Sequence, residues 1–347
     1  MKARKHTLGA HWLLSAAAFV MTLSLSACGG GGSSASNDTS CPTGSISGNF
    51  SSTATSDLTA GVLCSLSGVG STVTNVAANS CLPFQFTWSC SSTQRTLVAN
   101  GIPNHTVGSF PNANNPNTIA TYSASQSTTL SPSVSSVQTV PIIGYALNGV
   151  KFDPNTGGAC NNGASSAATQ GAGAQCTYIG AGAWSLEAIV PNSPFNFGAD
   201  SNNAHVQPTG EYHYHGAPTG VYSAMGGSES NGLGNKMQIV GWAADGFPIY
   251  YKYGYKIATD ANSGLVLLKG NYKPNSSATT LSTRPLASVF PLGTFRNDWA
   301  YSEANGGDLD ECNGRTGVTP EFPKGTYYYV ATESYPYLQR CIKGKLS

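Results

Sequence analysis

The sequence contains few charged residues. Lys, Arg, Asp and Glu make up 10% of its 347 residues, against about 25% in typical globular proteins. The net charge is +1, and Lys2, Arg4 and Lys5 lie in the first five positions, so the rest of the chain carries 1 − 3 = −2. Without a basic surplus there is no electrostatic case for binding nucleic acid.

The sequence also lacks a long apolar run. The most apolar stretch, from Trp12 to Leu25, is shorter than the ~20 residues that a membrane-spanning helix needs. It follows the basic start and ends in small residues, a pattern typical of a cleaved export signal. We therefore predict a signal peptide over residues 1–27 and a mature chain of 347 − 27 = 320 residues.

The end of this signal, Leu25-Ser26-Ala27-Cys28, resembles the lipobox of bacterial lipoproteins. The resemblance implies lipidation of Cys28 and anchoring to a membrane. The alternative is an ordinary export signal cut near Ala27. Residues 28–40 would form the anchor and a flexible Gly/Ser-rich linker. We expect a cell-envelope location, with the outer membrane favoured because Gly29 is not acidic, and no membrane contact beyond the anchor.

Paired CxxC cysteines are absent, which argues against a structural zinc site of that type. Eight cysteines remain besides Cys28, and an even number in an exported chain indicates disulfides, although eight allow 105 connectivities. Pairing of sequence neighbours predicts the bonds Cys160–Cys176, Cys312–Cys341, Cys81–Cys90 and Cys41–Cys64. Residues 41–94 hold four of these cysteines and are predicted to form a small stapled N-terminal segment before a domain over residues 95–347.

Helical signals are scarce as well. Short apolar and aromatic runs alternate with turn dipeptides such as Asn148-Gly149 and Asp245-Gly246, a pattern typical of strands. The best helical segment, Trp184–Val190, covers about two turns. Residues 155–183 are rich in Gly, Ala and Asn and are expected to form a long loop. The predicted fold class is mainly β, a single large disulfide-stapled domain with long loops and little helix.

Histidine is scarce after the signal, and four remain: His105, His205, His213 and His215. His213 and His215 alternate with tyrosines, and residues i and i+2 of a strand share one face about 6.6 Å apart. Two imidazoles at this spacing can converge on one metal ion, and His205 lies ten residues before His215. The alternative is ordinary aromatic packing, with the ring nitrogens bonded to carbonyls. For His105 alone, a structural role is the better reading.

The segment Pro208-Thr209-Gly210-Glu211-Tyr212-His213-Tyr214-His215-Gly216 resembles the signature of the YHYH-domain family of bacterial exported proteins. Further segments resemble the same family in order across residues 95–344. They are Asn100–His105, Gly144–Val150, Ala204–Pro208, Gly241–Tyr250, Leu309–Arg315 and Tyr335–Tyr337. The resemblance implies one domain and groups His105, His205, His213 and His215 as members of one metal site. It does not imply an established activity.

Four acidic residues are second-rank candidates, as ligands or as partners that orient an imidazole. They are Asp200, Asp245, Asp310 and Glu311. Asp245 precedes glycine and also fits a turn, and Asp310 and Glu311 also fit a turn beside Cys312. Where relatives tend to have a histidine in the last strand, this chain has Thr326–Val330. If that position contributes to a site, the chain either lacks this ligand or uses Tyr328 instead.

Three classes of function fit these features. The first is an exported domain that binds a transition metal, with copper or zinc favoured by imidazole ligands. The second is a metal-dependent hydrolase, in which the ion activates water. The third is a surface binding or adhesion module with structural histidines, whose protein or carbohydrate partner the sequence does not identify. No Gly-x-Ser-x-Gly, Walker or dinucleotide motif is present, and catalytic residues cannot be assigned.

Overall fold

A computed structural model describes residues 41, 44–48, 54, 59, 61–74, 81–180 and 182–346. Strands account for 34% of the structure and helix for 6%, which confirms the mainly β class. The described residues belong to one compact unit. The predicted signal peptide, Cys28 and linker lie outside the described residues. Within the described part, none of the helices has the length and apolar character needed to cross a membrane.

The first sheet is antiparallel, and its five strands follow one another in chain order. Its strands are β1 (Ser45–Gly48), β2 (Ser65–Val73), β3 (Cys81–Cys90), β4 (Gln94–Ala99) and β5 (Ala124–Thr129). Residues along β3 and β4 alternate between buried and exposed, as the two-residue period of a strand requires. Strand β4 of this sheet spans the boundary between residues 94 and 95, at which the sequence predicts that the main domain begins.

The cysteine pairing of this sheet differs from the prediction. The bonds are Cys41–Cys81 and Cys64–Cys90, so the predicted bonds Cys81–Cys90 and Cys41–Cys64 are wrong. Cys81 and Cys90 begin and end the same ten-residue strand, which puts them about 30 Å apart. The register pairs Ser65 with Ser89, which brings Cys64 opposite Cys90. The predicted bonds Cys160–Cys176 and Cys312–Cys341 are confirmed.

The rest of the chain adds nineteen short strands in the described residues. They are β6 (Val134–Gln138), β7 (Gly144–Ala146), β8 (Lys151–Phe152), β9 (Ala159–Cys160), β10 (Cys176–Thr177), β11 (Trp184–Ser185), β12 (Ala204–Val206), β13 (Tyr212–Tyr214), β14 (Glu229–Ser230), β15 (Leu233–Gly234), β16 (Ile239–Ala243), β17 (Pro248–Tyr251), β18 (Tyr253–Tyr255), β19 (Leu265–Leu267), β20 (Tyr272–Pro274), β21 (Trp299–Tyr301), β22 (Gly314–Gly317), β23 (Thr326–Ala331) and β24 (Ile342–Gly344). Helix α1 covers Thr219–Ala224, and 3-10 helices cover Ser276–Thr280, Arg296–Asp298 and Glu303–Asn305.

The largest sheet has eight strands in the order β12-β13-β8-β7-β16-β17-β23-β22. Two of its connections are the predicted turns, with Gly149 at φ +80° and Gly246 at φ +89°, backbone conformations that favour glycine. The predicted helix over Trp184–Val190 is wrong. Trp184 and Ser185 form β11, which pairs with β9, and Leu186 bridges to Phe295, because pairing with distant segments outweighs a weak local helical preference.

Two apolar cores hold these sheets. The larger contains Phe86 and Trp88 of the first sheet together with Tyr145 and Trp242 of the eight-stranded sheet. The smaller contains the Cys160–Cys176 bond and a group of aromatic rings that includes Phe197. The Phe197 ring lies 6.0 Å from that of His205, so the smaller core adjoins the candidate site.

Candidate metal centre

Three histidines meet on one face of strands β12 and β13. The antiparallel register places His205 directly opposite His213, and His215 follows two residues later on the same side. The backbone N–H of His215 donates to the carbonyl of Asn203, which keeps the two chains paired beyond the end of the strand. Alternation with small and aromatic residues thus turns all three imidazoles to one side, as the sequence spacing predicts for His213 and His215.

The three Nε2 atoms converge. That of His215 lies 2.9 Å from Nε2 of His213 and 3.1 Å from Nε2 of His205. Three nitrogens bound to one tetrahedral zinc ion at about 2.0–2.1 Å stand about 3.3–3.4 Å apart, so small side-chain movements would admit an ion. These three residues form a group of metal-binding type in the described part of the chain.

Hydrogen bonding alone does not satisfy this cluster. A ring nitrogen of a neutral imidazole carries either one proton or one lone pair. On His213, Nδ1 donates to the Glu211 carbonyl at 3.2 Å, so Nε2 of His213 is an acceptor. The Nε2 atom of His215 has only one proton or one lone pair, so it cannot make good hydrogen bonds to both of the other Nε2 atoms. A cation at the centre removes this conflict, since each nitrogen then presents a lone pair.

Burial keeps the three imidazoles neutral. His205, His213 and His215 are 7%, 2% and 3% exposed, and a low-polarity surrounding disfavours the imidazolium form. Burial lowers the pKa of His205 to about 4, against the smaller opposing effect of the Phe197 carbonyl. The pKa values of His213 and His215 also fall well below the usual range, first by burial and then by neighbouring positive charge. Neutral imidazole is the form that binds metal.

Strand β8 adds charged groups to the same face. It runs parallel to β13 with Lys151 beside His213. Asp153 follows Lys151 by two residues, and its charge acts on His205. The Nζ atom of Lys151 lies 2.8 Å from Glu211 and 3.3 Å from Asp153. The sequence reading missed Lys151 and Asp153. The alternation in Lys151-Phe152-Asp153 is visible in the sequence, but the parallel pairing of β8 with β13 is not.

Removing the charge of Lys151 should destabilise the folded protein. In a Lys151→Met variant the carboxylate of Glu211, which is 4% exposed, loses its partner. We expect a loss of about 3 kcal/mol in the free energy of unfolding, as for other broken buried ion pairs. Urea denaturation measures it. Lys252→Met is the matched control, because its partners Glu229 and Glu333 are 32% and 61% exposed and exposed pairs contribute about 0–1 kcal/mol. Equal losses in both variants would contradict this account.

The structure separates His105 from the other histidines, so its predicted place in the metal site is wrong. Its Nε2 atom lies 2.5 Å from the hydroxyl of Tyr214, and its ring also contacts Tyr212. These tyrosines alternate with His213 and His215 and therefore point to the opposite face of β13. The resemblance groups the four histidines by sequence motif, whereas the pleat of the strand divides them between two faces.

Asp200 also lies on the tyrosine side, and the prediction that it orients a metal-binding imidazole is wrong. Its Oδ2 atom accepts hydrogen bonds from the Tyr212 hydroxyl at 2.8 Å and from the backbone N–H of Gly108 at 3.0 Å. Its charge acts on His205 only weakly, behind burial, the Phe197 carbonyl and Asp153.

The other three acidic candidates hold turns and ends of strands. Asp245 accepts from the Tyr329 hydroxyl at 2.6 Å and the Gly344 backbone N–H at 2.8 Å. Asp310 accepts from the N–H groups of its own turn and from Tyr327, and Glu311 pairs with Lys343. None of these contacts is with a histidine, so the predicted orienting role is wrong for Asp245, Asp310 and Glu311.

Tyr328 does not replace a histidine ligand either. It lies on β23, five strands away from β13 in the sheet order, which at about 4.8 Å per strand is about 24 Å. Its hydroxyl accepts a hydrogen bond from Nε of Arg315 at 2.6 Å. The described residues thus bring together three of the four predicted histidines and none of the second-rank candidates.

A comparison with protein families identifies the family of the chain. The model of the YHYH protein family matches residues 121–344, which include the three clustered histidines but not His105. Neither the curated proteins nor the solved structures contain a match. Because the family match covers more than half of the 347 residues, the chain belongs to the YHYH protein family.

Proposed function

We propose that this protein binds a divalent transition-metal ion through the Nε2 atoms of His205, His213 and His215. The observation that carries the proposal is the convergence of three buried, neutral imidazoles whose facing nitrogens cannot satisfy one another by hydrogen bonds. Imidazole ligands suit zinc and copper among the abundant metals. Zinc and copper are therefore the ions that we expect.

Titration calorimetry tests the proposal. The full chain, expressed in a bacterial host without a polyhistidine tag and stripped with a chelator, is titrated with zinc and with Cu²⁺ at pH 7. We expect one equivalent of one of these ions to bind with a Kd in the micromolar range or below. Absence of binding to the folded protein would overturn the proposal and favour the alternative of structural histidines in a surface binding module.

A second candidate function is metal-assisted hydrolysis, and the position of Asp153 favours it. Three histidines leave a coordination position open, as in catalytic zinc sites with bound water. Asp153 lies on the same face, half-buried, where its Oδ2 atom accepts a hydrogen bond from Nε2 of Gln207 at 3.3 Å. A carboxylate beside such a site can hold a water molecule and accept its proton.

The hydrolysis candidate predicts a loss of activity in an Asp153→Asn variant. With the proton acceptor removed, we expect release of p-nitrophenol from p-nitrophenyl acetate by the zinc-loaded protein to fall by about 10²–10⁴-fold. Metal content is measured beside the rate, so that a lost ion is not mistaken for a lost base. Equal rates with and without zinc would exclude hydrolysis of this ester by the site.

We also propose that the protein is held at the cell envelope by a lipid on Cys28, with the outer membrane as its destination. The lipobox-like Leu25–Cys28 supports the anchor, and the four disulfides support an oxidising compartment. Incorporation of radiolabelled palmitate into the wild type, lost in Cys28→Ala, is the expected result. Equal incorporation of palmitate into the wild type and Cys28→Ala would overturn the lipid anchor. Fractionation of the envelope tests whether the protein is in the outer membrane.

A further inference from the structure

A second candidate site lies on the opposite face of β13. There a cavity of about 630 Å³ is lined by residues 104–108, residues 200–202 and helix α1. Cavities that bind small molecules have volumes of about 300–1,000 Å³. His105 and Asp200, which the metal centre does not use, both line this cavity.

Hydrogen bonds fix the imidazole of His105, which lines the cavity. The Nδ1 atom of His105 donates to the Thr106 carbonyl at 3.0 Å, which leaves Nε2 as the acceptor for the Tyr214 hydroxyl. The Tyr214 oxygen in turn accepts from Nδ2 of Asn148 at 2.9 Å. These groups come from three separate segments of the chain, so the position of His105 is set by the tertiary fold and not by one local turn.

Two glycines leave room for the cavity's ionisable side chains. A Cβ atom on Gly220 would lie 2.3 Å from Cγ of His105, and one on Gly108 would lie 2.7 Å from Cβ of Asp200. Both distances are below any normal contact, so a side chain at either position would displace the imidazole or the carboxylate. The close approach of these backbones holds His105 and Asp200 in place.

The cavity carries one negative charge. Asp200 makes no ion pair with any described residue, and no Lys or Arg lines the cavity. Burial lowers the pKa of His105, so its imidazole is neutral at pH 7. The Oδ1 atom of Asp200 accepts a backbone hydrogen bond from Asn202 at 2.8 Å and retains acceptor capacity.

We propose that this cavity binds a small organic cation with a primary ammonium group, and that Asp200 is its counter-charge. An unpaired carboxylate in a concave polar site attracts cations and disfavours anions. Uncharged polar groups at the rim, such as the Ser201 and Ser223 hydroxyls, would hydrogen-bond to the rest of the ligand. The site is independent of the metal centre, because His105 and the tyrosines face away from it.

A pair of probes that differ only in charge tests the proposal. The full chain is titrated at pH 7, in the presence of EDTA, with 2-phenylethylamine and with 2-phenylethanol, which have the same shape. We expect the amine to bind with a Kd below about 1 mM and the alcohol at least about tenfold more weakly. Equal binding of both, or binding of neither, would overturn the proposal. EDTA removes metal, so the result does not depend on the metal site.

Variants locate the binding. Asp200→Asn keeps an acceptor for Tyr212 but removes the charge, and should weaken amine binding by about tenfold or more. Glu333→Gln removes one exposed charge elsewhere and should leave the Kd unchanged. Ser223→Trp fills the cavity from an exposed position and should block binding even if Asp200→Asn fails to fold. Amine affinity that is unchanged in the folded Ser223→Trp variant would overturn this location.

Discussion

Replacing His213 by alanine should weaken metal binding by more than a hundredfold. Binding free energies of about 10–16 kcal/mol for zinc sites with four ligands imply about 3 kcal/mol for each ligand. That energy corresponds to more than two orders of magnitude in Kd. His213 is the residue to remove, because its Nε2 atom faces the cluster while its Nδ1 atom is held by the Glu211 carbonyl. Competition with a zinc-binding dye measures the affinity.

His105→Ala is the matched control for this experiment. It removes the same side chain from the opposite face of β13, where the imidazole bonds to Tyr214. Its zinc affinity should stay within about twofold of the wild type, because changes at separate sites are close to independent. Circular dichroism and thermal unfolding establish that both variants fold. An affinity that falls equally in both would show that the metal is not bound by the proposed triad.

Without metal, the protein should lose stability steeply as the pH falls below 6.5. The unfolded histidines have a pKa near 6.5, whereas burial lowers the pKa of His205 to about 4 and those of His213 and His215 well below 6.5. Between these values the unfolded chain binds protons that the folded chain does not. The free energy of unfolding therefore decreases with falling pH, by up to about 4 kcal/mol per pH unit for three histidines.

Buried carboxyls partly oppose this loss. Burial raises the pKa values of Glu187, Asp245 and Glu321, so the folded protein binds more protons at these groups than the unfolded chain does in mildly acidic solution. Their contribution is the same in a variant that lacks the histidine triad. The wild type and such a variant therefore differ in the slope of unfolding free energy against pH only by the contribution of the three histidines.

Urea denaturation from pH 7 to pH 5, in EDTA, makes this comparison. The wild type should show the steeper decrease, and the variant His205→Gln/His213→Gln/His215→Gln a shallower one. Saturating zinc should raise the stability of the wild type near neutral pH, because a ligand that binds only the folded state stabilises it. Parallel slopes for the two metal-free proteins would contradict the burial of neutral imidazoles.

The sequence predicts the metal-binding face well because that face depends on a local rule. Alternation within Tyr212–His215 places two imidazoles on one side of a strand. The predicted third member, His205, joins them through an antiparallel strand close in sequence. The mainly β class follows in the same way from short runs and turn dipeptides. These features need no knowledge of distant contacts.

The features that the sequence does not predict arise from long-range pairing. Parallel pairing of β8 with β13 brings Lys151 and Asp153 to the site across about sixty residues of chain. The register of β2 with β3 decides the cysteine pairing. The prediction that His105 belongs to the metal site is wrong for a different reason. A shared motif carries no information about which side of the sheet a side chain reaches.

X-ray absorption spectroscopy of the zinc-loaded wild-type protein tests the central claim most directly. One equivalent of zinc with three imidazole nitrogens at about 2.0–2.1 Å, and with no sulfur ligand, is the result that we predict. Coordination by fewer than three imidazoles, or by sulfur, would contradict a centre built from His205, His213 and His215.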